Sequence, residues 1–254
     1  MRGVSNIAKF MGWRTKLKNE PSLNVGRRFV SGEGIMGGGS VQEVLAPVGG
    51  VSLEGALAIP AGASGLVLFA HGSGSSRHSP RNNYVARVLQ DAGMGTFLFD
   101  LLTAEEDLDY SARFDIGLLT QRLAAVTRWV QARPEAAKLA IGYFGASTGA
   151  AAALGAAAEL GSVIAAVVSR GGRPDLAEPV LDRVRAPTLL IVGELDVEVL
   201  QLNRRAYALL AGEKRLAIVP GATHLFEEPG TLEQAAHLAA GWFKDHLKSA
   251  AKLP

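Results

Sequence analysis

The stretch Gly142-Tyr143-Phe144-Gly145-Ala146-Ser147-Thr148-Gly149-Ala150-Ala151 places a serine between two glycines, after an apolar run and before an alanine-rich one. A strand that turns sharply into a helix forces strained dihedrals on its central residue, and flanking glycines relieve the crowding while the hydroxyl is lifted clear. Serine is a poor nucleophile until a base removes its proton, so Ser147 requires a histidine. Of the five histidines, His237 and His246 fall inside the last helical segment, whereas His224 follows the last strand-like run in "VPGATH". His224 is therefore the expected base. Its imidazole needs a carboxylate to fix the tautomer and stabilise the cation. Asp196, in "LLIVGELD", lies further past its strand than the competing Glu194 and is the expected partner. Ser147, Asp196 and His224 then follow one another in this order along the chain, each at a strand end.

Acyl chemistry also needs donors for a developing oxyanion. The glycine-rich loop in "FAHGSGSSRHSPRN" is expected to supply the N–H of Ser73 or Gly74, joined by that of Thr148 at the start of the helix after Ser147. His71 is expected to orient this loop and, with Arg77 and His78, to stand where substrate binds. Together with Arg81, Arg170 and Arg173, these side chains suggest an acyl substrate carrying a carboxylate or phosphate, because an arginine fork binds two oxygens at once. The competing expectation is that the arginines pair with Asp100, Asp175 or Glu105.

The elements that would hold these residues alternate regularly from Val41 onward. "VQEVLAPVGGVSLEGALAIP" reads as an antiparallel hairpin turning at Gly49-Gly50. Six further strand-like runs follow, interleaved with helical segments over 83–91, 114–132, 148–160, 175–184, 199–210 and 232–248. Continuous apolar, β-branched runs separated by helices are what a parallel sheet covered on both faces requires. The expected fold is α/β, a doubly wound, mostly parallel eight-stranded sheet with an N-terminal antiparallel hairpin. Ligands bind such sheets at the carboxyl ends of the strands, which is where the candidate residues fall.

Composition narrows the function classes. The 254 residues are 48% hydrophobic and 20% charged, as in a folded globular domain rather than a disordered chain. Without cysteine, disulfides, thiolate metal sites and a cysteine nucleophile are excluded. No apolar run approaches the roughly 18 residues that cross a bilayer, so no stable membrane insertion is expected. Residues 1–40 hold seven Lys/Arg against Glu20 and Glu33, a surplus of +5 within a net charge of +2, which leaves the remainder at −3. A mildly acidic body argues against a nucleic-acid partner. Residues 1–40 read as a basic flexible tail, ending in the linker-like "GEGIMGGGS" and lacking the pattern of a secretory signal, so cytoplasmic location is the default. The expected domain is 41–254. Neither clustered ligands nor a phosphate-loop pattern appears, so no metal and no cofactor are expected. The sequence admits a homodimer.

The loop beginning His71-Gly72, the elbow "GASTGA", the acid of "GELD" and the histidine of "GATH", in this order over residues 41–249, resemble the α/β-hydrolase superfamily, and within it the small dienelactone-hydrolase-like serine hydrolases. "HGSGSSRHSPRN" with "LFDLLT" is also similar to a branch of hydrolases found alone or fused to phosphoribosyltransferase domains. The resemblance implies the α/β-hydrolase fold and a small-molecule ester substrate, hydrolysed through an acyl-enzyme. Two features depart from the family pattern. Ser147 stands where dienelactone hydrolases carry cysteine, and the short interval between "VVSRG" and "APTLLIV" leaves no cap domain, which implies an open site for short acyl groups. The alternatives are acyl transfer by the same three residues and a non-catalytic binding protein that kept the fold.

Overall fold

The computed structural model describes residues 40–247. The proposed tail lies outside this range except for Ser40, as do the last seven residues of the expected domain. Eight strands form one sheet: β1 (Gln42–Val48), β2 (Val51–Ala58), β3 (Gly65–Ala70), β4 (Gly95–Phe99), β5 (Ala140–Ala146), β6 (Ile164–Arg170), β7 (Thr188–Gly193) and β8 (Lys214–Val219), in the spatial order β1-β2-β4-β3-β5-β6-β7-β8. β1 and β2 form the expected hairpin, with Gly49 and Gly50 both at positive φ, and β2 pairs antiparallel with β4. All later pairings are parallel.

Helices α1 (Pro80–Asp91), α2 (Ile116–Gln131), α3 (Thr148–Leu160), α4 (Val197–Leu209) and α5 (Thr231–His246) cover both faces. The sidedness follows from the period of two along each strand. In β3, Leu66, Leu68 and Ala70 pack into the core shared with α2 and α3, while Val67 and Phe69 face the core under α1 and α5. All six residues of β3 and of β7 are buried, which is why these segments read as unbroken apolar runs.

Helix ends follow their capping chemistry. α1 starts at Pro80, three residues before the sequence reading, because the Ser79 side chain accepts from the Asn82 N–H and proline suits the first helical turn. α2 starts behind Asp115, which accepts from the Leu118 N–H. The segment expected as a helix over 175–184 is a 3₁₀ run, Pro174–Arg183, containing Pro179, which has no N–H to give an α-helical ladder. That short run is the one element between β6 and β7, so no domain is inserted between these two strands. Among the described residues no helix is long and apolar enough to cross a membrane.

Candidate active site

Ser147 links β5 to α3 at φ 51°, ψ −123°, a backbone conformation that residues with a side chain rarely adopt. The turn can be this tight only because its neighbours lack side chains. A Cβ on Gly149 would lie 2.1 Å from the Ala70 carbonyl oxygen and 2.5 Å from that of His71, and one on Gly145 would lie 2.5 Å from the Ala150 Cα. Gly149 therefore lets the first turn of α3 rest directly on the end of β3. The obstruction is backbone, which cannot swing aside. Gly149→Ala should lower stability by about 3 kcal/mol, read from the urea midpoint at constant m.

The same closeness brings the glycine-rich loop to the serine. A Cβ on Gly72 would sit 2.9 Å from the Ser147 Cβ, so the loop passes directly over the elbow. The Ser73 N–H donates to the Thr148 Oγ1 at 2.9 Å. The Thr148 N–H, in the first turn of α3, has no intrahelical acceptor. Of the two loop amides considered from sequence, Ser73 is the one joined to Thr148, whereas Gly74 (φ 69°) lies further along, nearest Arg113.

His224 sits in the loop after β8, five residues past the strand end, and its Nδ1 lies 2.7 Å from the Asp196 Oδ2. Asp196 holds the N-cap position of α4 yet makes no side-chain cap bond, since its carboxylate is directed to the imidazole instead. With Nδ1 carrying the proton toward Asp196, Nε2 is left as the free, basic nitrogen. Among the described residues no hydrogen bond joins the Ser147 hydroxyl to His224. Glu194 has a different task. Its Oε2 accepts from the Gly221 N–H at 2.9 Å, while the Leu195 N–H donates to the Ala222 carbonyl, so the Asp196 and His224 loops are fastened together. The Thr223 N–H and hydroxyl both donate to Glu228, closing the far side of the histidine loop.

The expected substrate-binding groups are engaged by partners within the fold. The His71 Nε2 accepts from the Leu101 N–H at 3.2 Å, which puts the ring proton on Nδ1, 3.0 Å from the Gly72 carbonyl. Both ring nitrogens are thereby bound to backbone, and burial holds this imidazole below its ordinary pKa. His71 thus supports the loop, in the orienting part expected of it. Arg77 is paired with both Asp100 and Glu54, Arg173 with Asp175, and Arg81 with Glu227. The pairing expectation thus describes these three arginines, although Glu54 and Glu227 take the part foreseen for Glu105. His78 is exposed, its backbone N–H donating to Ser76 Oγ.

A cavity of about 520 Å³ opens beside the loop, bordered by Glu54, His71, Ser75, Arg77, Asp100 and Glu105. Its rim carries more negative than positive side chains, which disfavours an anionic ligand. Arg77→Ala should therefore slow hydrolysis of neutral and anionic esters by the same factor. It should also lower stability by about 2 kcal/mol, as expected when a mostly buried carboxylate such as Asp100 loses its partner. Paired kcat/KM measurements and urea titration check both.

A glycine directly after β6 completes the surroundings. Gly171 (φ 51°) lies against the histidine loop, where a Cβ would meet the His224 carbonyl oxygen at 3.1 Å. Gly171 carries no signal of this contact in the sequence, although it stands at a strand end, the place where close approach matters.

The chain is similar to several known proteins. The family model described as "Dienelactone hydrolase family" matches residues 54–250. Two Mycobacterium tuberculosis proteins, each called a putative phosphoribosyl transferase, are 59% identical over 206 residues, covering 81% of this chain. The chain spans only 46% of their length. A crystal structure of dienelactone hydrolase from Anabaena variabilis aligns with a TM-score of 0.81 at 56% identity, over 82% of this chain and 99% of that one. Est1E from Butyrivibrio proteoclasticus aligns with a TM-score of 0.69 at 15% identity, over 80% of this chain and 98% of its own, a likeness of fold alone.

Proposed function

We propose, since this chain belongs to the dienelactone hydrolase family and is a hydrolase, that it cleaves small, uncharged carboxylic esters with Ser147 as nucleophile. The 2.7 Å contact between Asp196 and the His224 Nδ1 carries this reading, because it leaves Nε2 as the base and commits the acid to it. As the Ser147 Oγ attacks the ester carbonyl, Nε2 takes the hydroxyl proton and Asp196 stabilises the imidazolium. The carbonyl oxygen, now negative, receives the N–H groups of Thr148 and Ser73, the latter turning from the Thr148 hydroxyl to the stronger acceptor. Collapse of the tetrahedral adduct expels the alcohol, which leaves with the proton from Nε2. Water then attacks the acyl-serine, giving its proton to Nε2, and the second collapse returns that proton to Ser147 as the carboxylic acid departs.

Size selectivity follows from the open strand ends. With only the 3₁₀ run Pro174–Arg183 between β6 and β7, the described residues place no inserted domain there to bury a long acyl chain. The paired arginines and the acidic rim supply the preference for uncharged groups. A panel of p-nitrophenyl esters tests this reading. The acetate and butyrate should exceed the decanoate in kcat/KM by about tenfold or more, the size of one to two misplaced methylenes in a fitted pocket. Equal rates along the series would contradict the open-site reading. The phosphoribosyl transferase name belongs to proteins more than twice the matched length, and the proposal here is drawn from the fold and site of the matched segment.

A further inference from the structure

Arg170, the last residue of β6, is only 7% exposed and has no carboxylate partner among the described residues. Its Nε and Nη1 are buried without a hydrogen-bond acceptor, and Nη2 reaches the Asn82 Oδ1 only at 3.5 Å. The charge nearest to it in effect is Arg81, of the same sign, itself held by Glu227. What the guanidinium does have is an aromatic face: its centre lies 5.6 Å from the Phe226 ring centroid, within the range of a cation–π contact.

Phe226 is itself unusual. It is 2% exposed, stands two residues after His224, and adopts φ 56°, a left-handed conformation that a bulky side chain tolerates only when its surroundings enforce it. Two costly features, an uncompensated buried cation and a strained aromatic residue, therefore meet at one contact. That contact is linked through the backbone to both proposed reactive groups. The Arg170 carbonyl accepts the Ser147 N–H at 3.4 Å, and the next residue, Gly171, touches His224. Costs of this kind persist in a fold when they hold a functional geometry.

We infer that Arg170 is a positioning residue, whose guanidinium, seated on the Phe226 ring, fixes the His224 loop relative to Ser147. The inference rests on the assignment of Ser147 and His224 made above. A purely structural arginine would behave differently on substitution. Replacing an unpaired buried cation by an apolar side chain of similar length is commonly neutral or stabilising, so Arg170→Met should leave the melting temperature equal or raise it. A positioning role adds a loss of turnover that stability does not explain.

The test compares wild type, Arg170→Met, Arg170→Lys, Phe226→Leu and Ser147→Ala for kcat, KM with p-nitrophenyl acetate, and melting temperature. Arg170→Met is expected to lower kcat by about 30-fold with KM within about twofold, at an unchanged or higher melting temperature. Arg170→Lys, which keeps the charge but not the planar face, should fall between Arg170→Met and wild type. Phe226→Leu should lose kcat in the same way, and the double variant with Arg170→Met should be no slower than the slower single, since both remove one contact. A kcat for Arg170→Met within twofold of wild type, or a loss confined to KM, overturns the inference. Should Arg170→Met fail to fold, Phe226→Leu decides by the same kcat criterion. Ser147→Ala separates the two levels. Retained activity there removes the nucleophile assignment and this inference with it, whereas a dead Ser147→Ala beside an unimpaired Arg170→Met removes the inference alone.

Discussion

Ser147→Ala is expected to lower kcat for p-nitrophenyl acetate by about four to six orders of magnitude, because the residues of a nucleophile–base unit fail together when one is removed. What remains would come from the loop and helix amides, which still polarise the carbonyl for attack by water. The fold should survive. Ser147 makes no side-chain cap bond to α3, so its hydroxyl contributes nothing visible to helix stability, and the strained backbone is imposed by Gly145 and Gly149. An unchanged urea midpoint beside a near-total loss of turnover would separate a chemical role from a structural one. Turnover within tenfold of wild type would mean that the hydroxyl is only a small group in a tight turn.

Asp196→Asn should be nearly as damaging, by about 10⁴-fold in kcat, since an amide in place of the carboxylate favours the wrong imidazole tautomer and cannot stabilise the cation. Glu194→Gln serves as its control. That glutamate accepts from the Gly221 N–H, and an amide oxygen can accept the same bond, so its loss of kcat should stay within about threefold, as for the exchange of one hydrogen-bond acceptor for a weaker one. Similar losses in the two variants would mean that the two carboxylates act together in holding the loops, not that one of them serves the histidine.

The elbow was legible because its chemistry is local. Glycines at 145 and 149 can be read directly, and the helix begins at Thr148 and ends at Leu160 as the alanine-rich run suggests. The choice of Asp196 over Glu194 followed from distance past the strand, and the structure adds the reason: Glu194 points back to fasten the loop of Gly221. Strand ends have no such local signal. β7 stops at Gly193 and β8 at Val219 because the chains must turn toward each other there, and a Cβ on Gly193 would meet the Ala222 carbonyl oxygen at 2.3 Å. No local pattern announces that approach.

Long-range pairing was the least visible part. Arg81 finds Glu227 across 146 residues and Arg77 finds Glu54 across 23, so four charges that look free in the sequence are bound in the fold. The start of α1 carried a signal that went unused, Ser79 followed by Pro80, a cap and a first-turn proline. Arg170 stands in the sequence only as one of several arginines that could meet an anionic substrate, and Phe226 carries no signal at all. An arginine ending a strand gives no sign that it will be buried without a partner, and a left-handed phenylalanine is a property of its surroundings.

The most direct measurement is peptide mass mapping of the protein after exposure to a fluorophosphonate, which phosphonylates a serine only where a base activates it. The expected result is a single adduct on Ser147, formed at a rate that falls by at least about 10³-fold in His224→Ala. An adduct on another residue, or none on the folded wild-type protein, would contradict the assignment of Ser147 as the nucleophile.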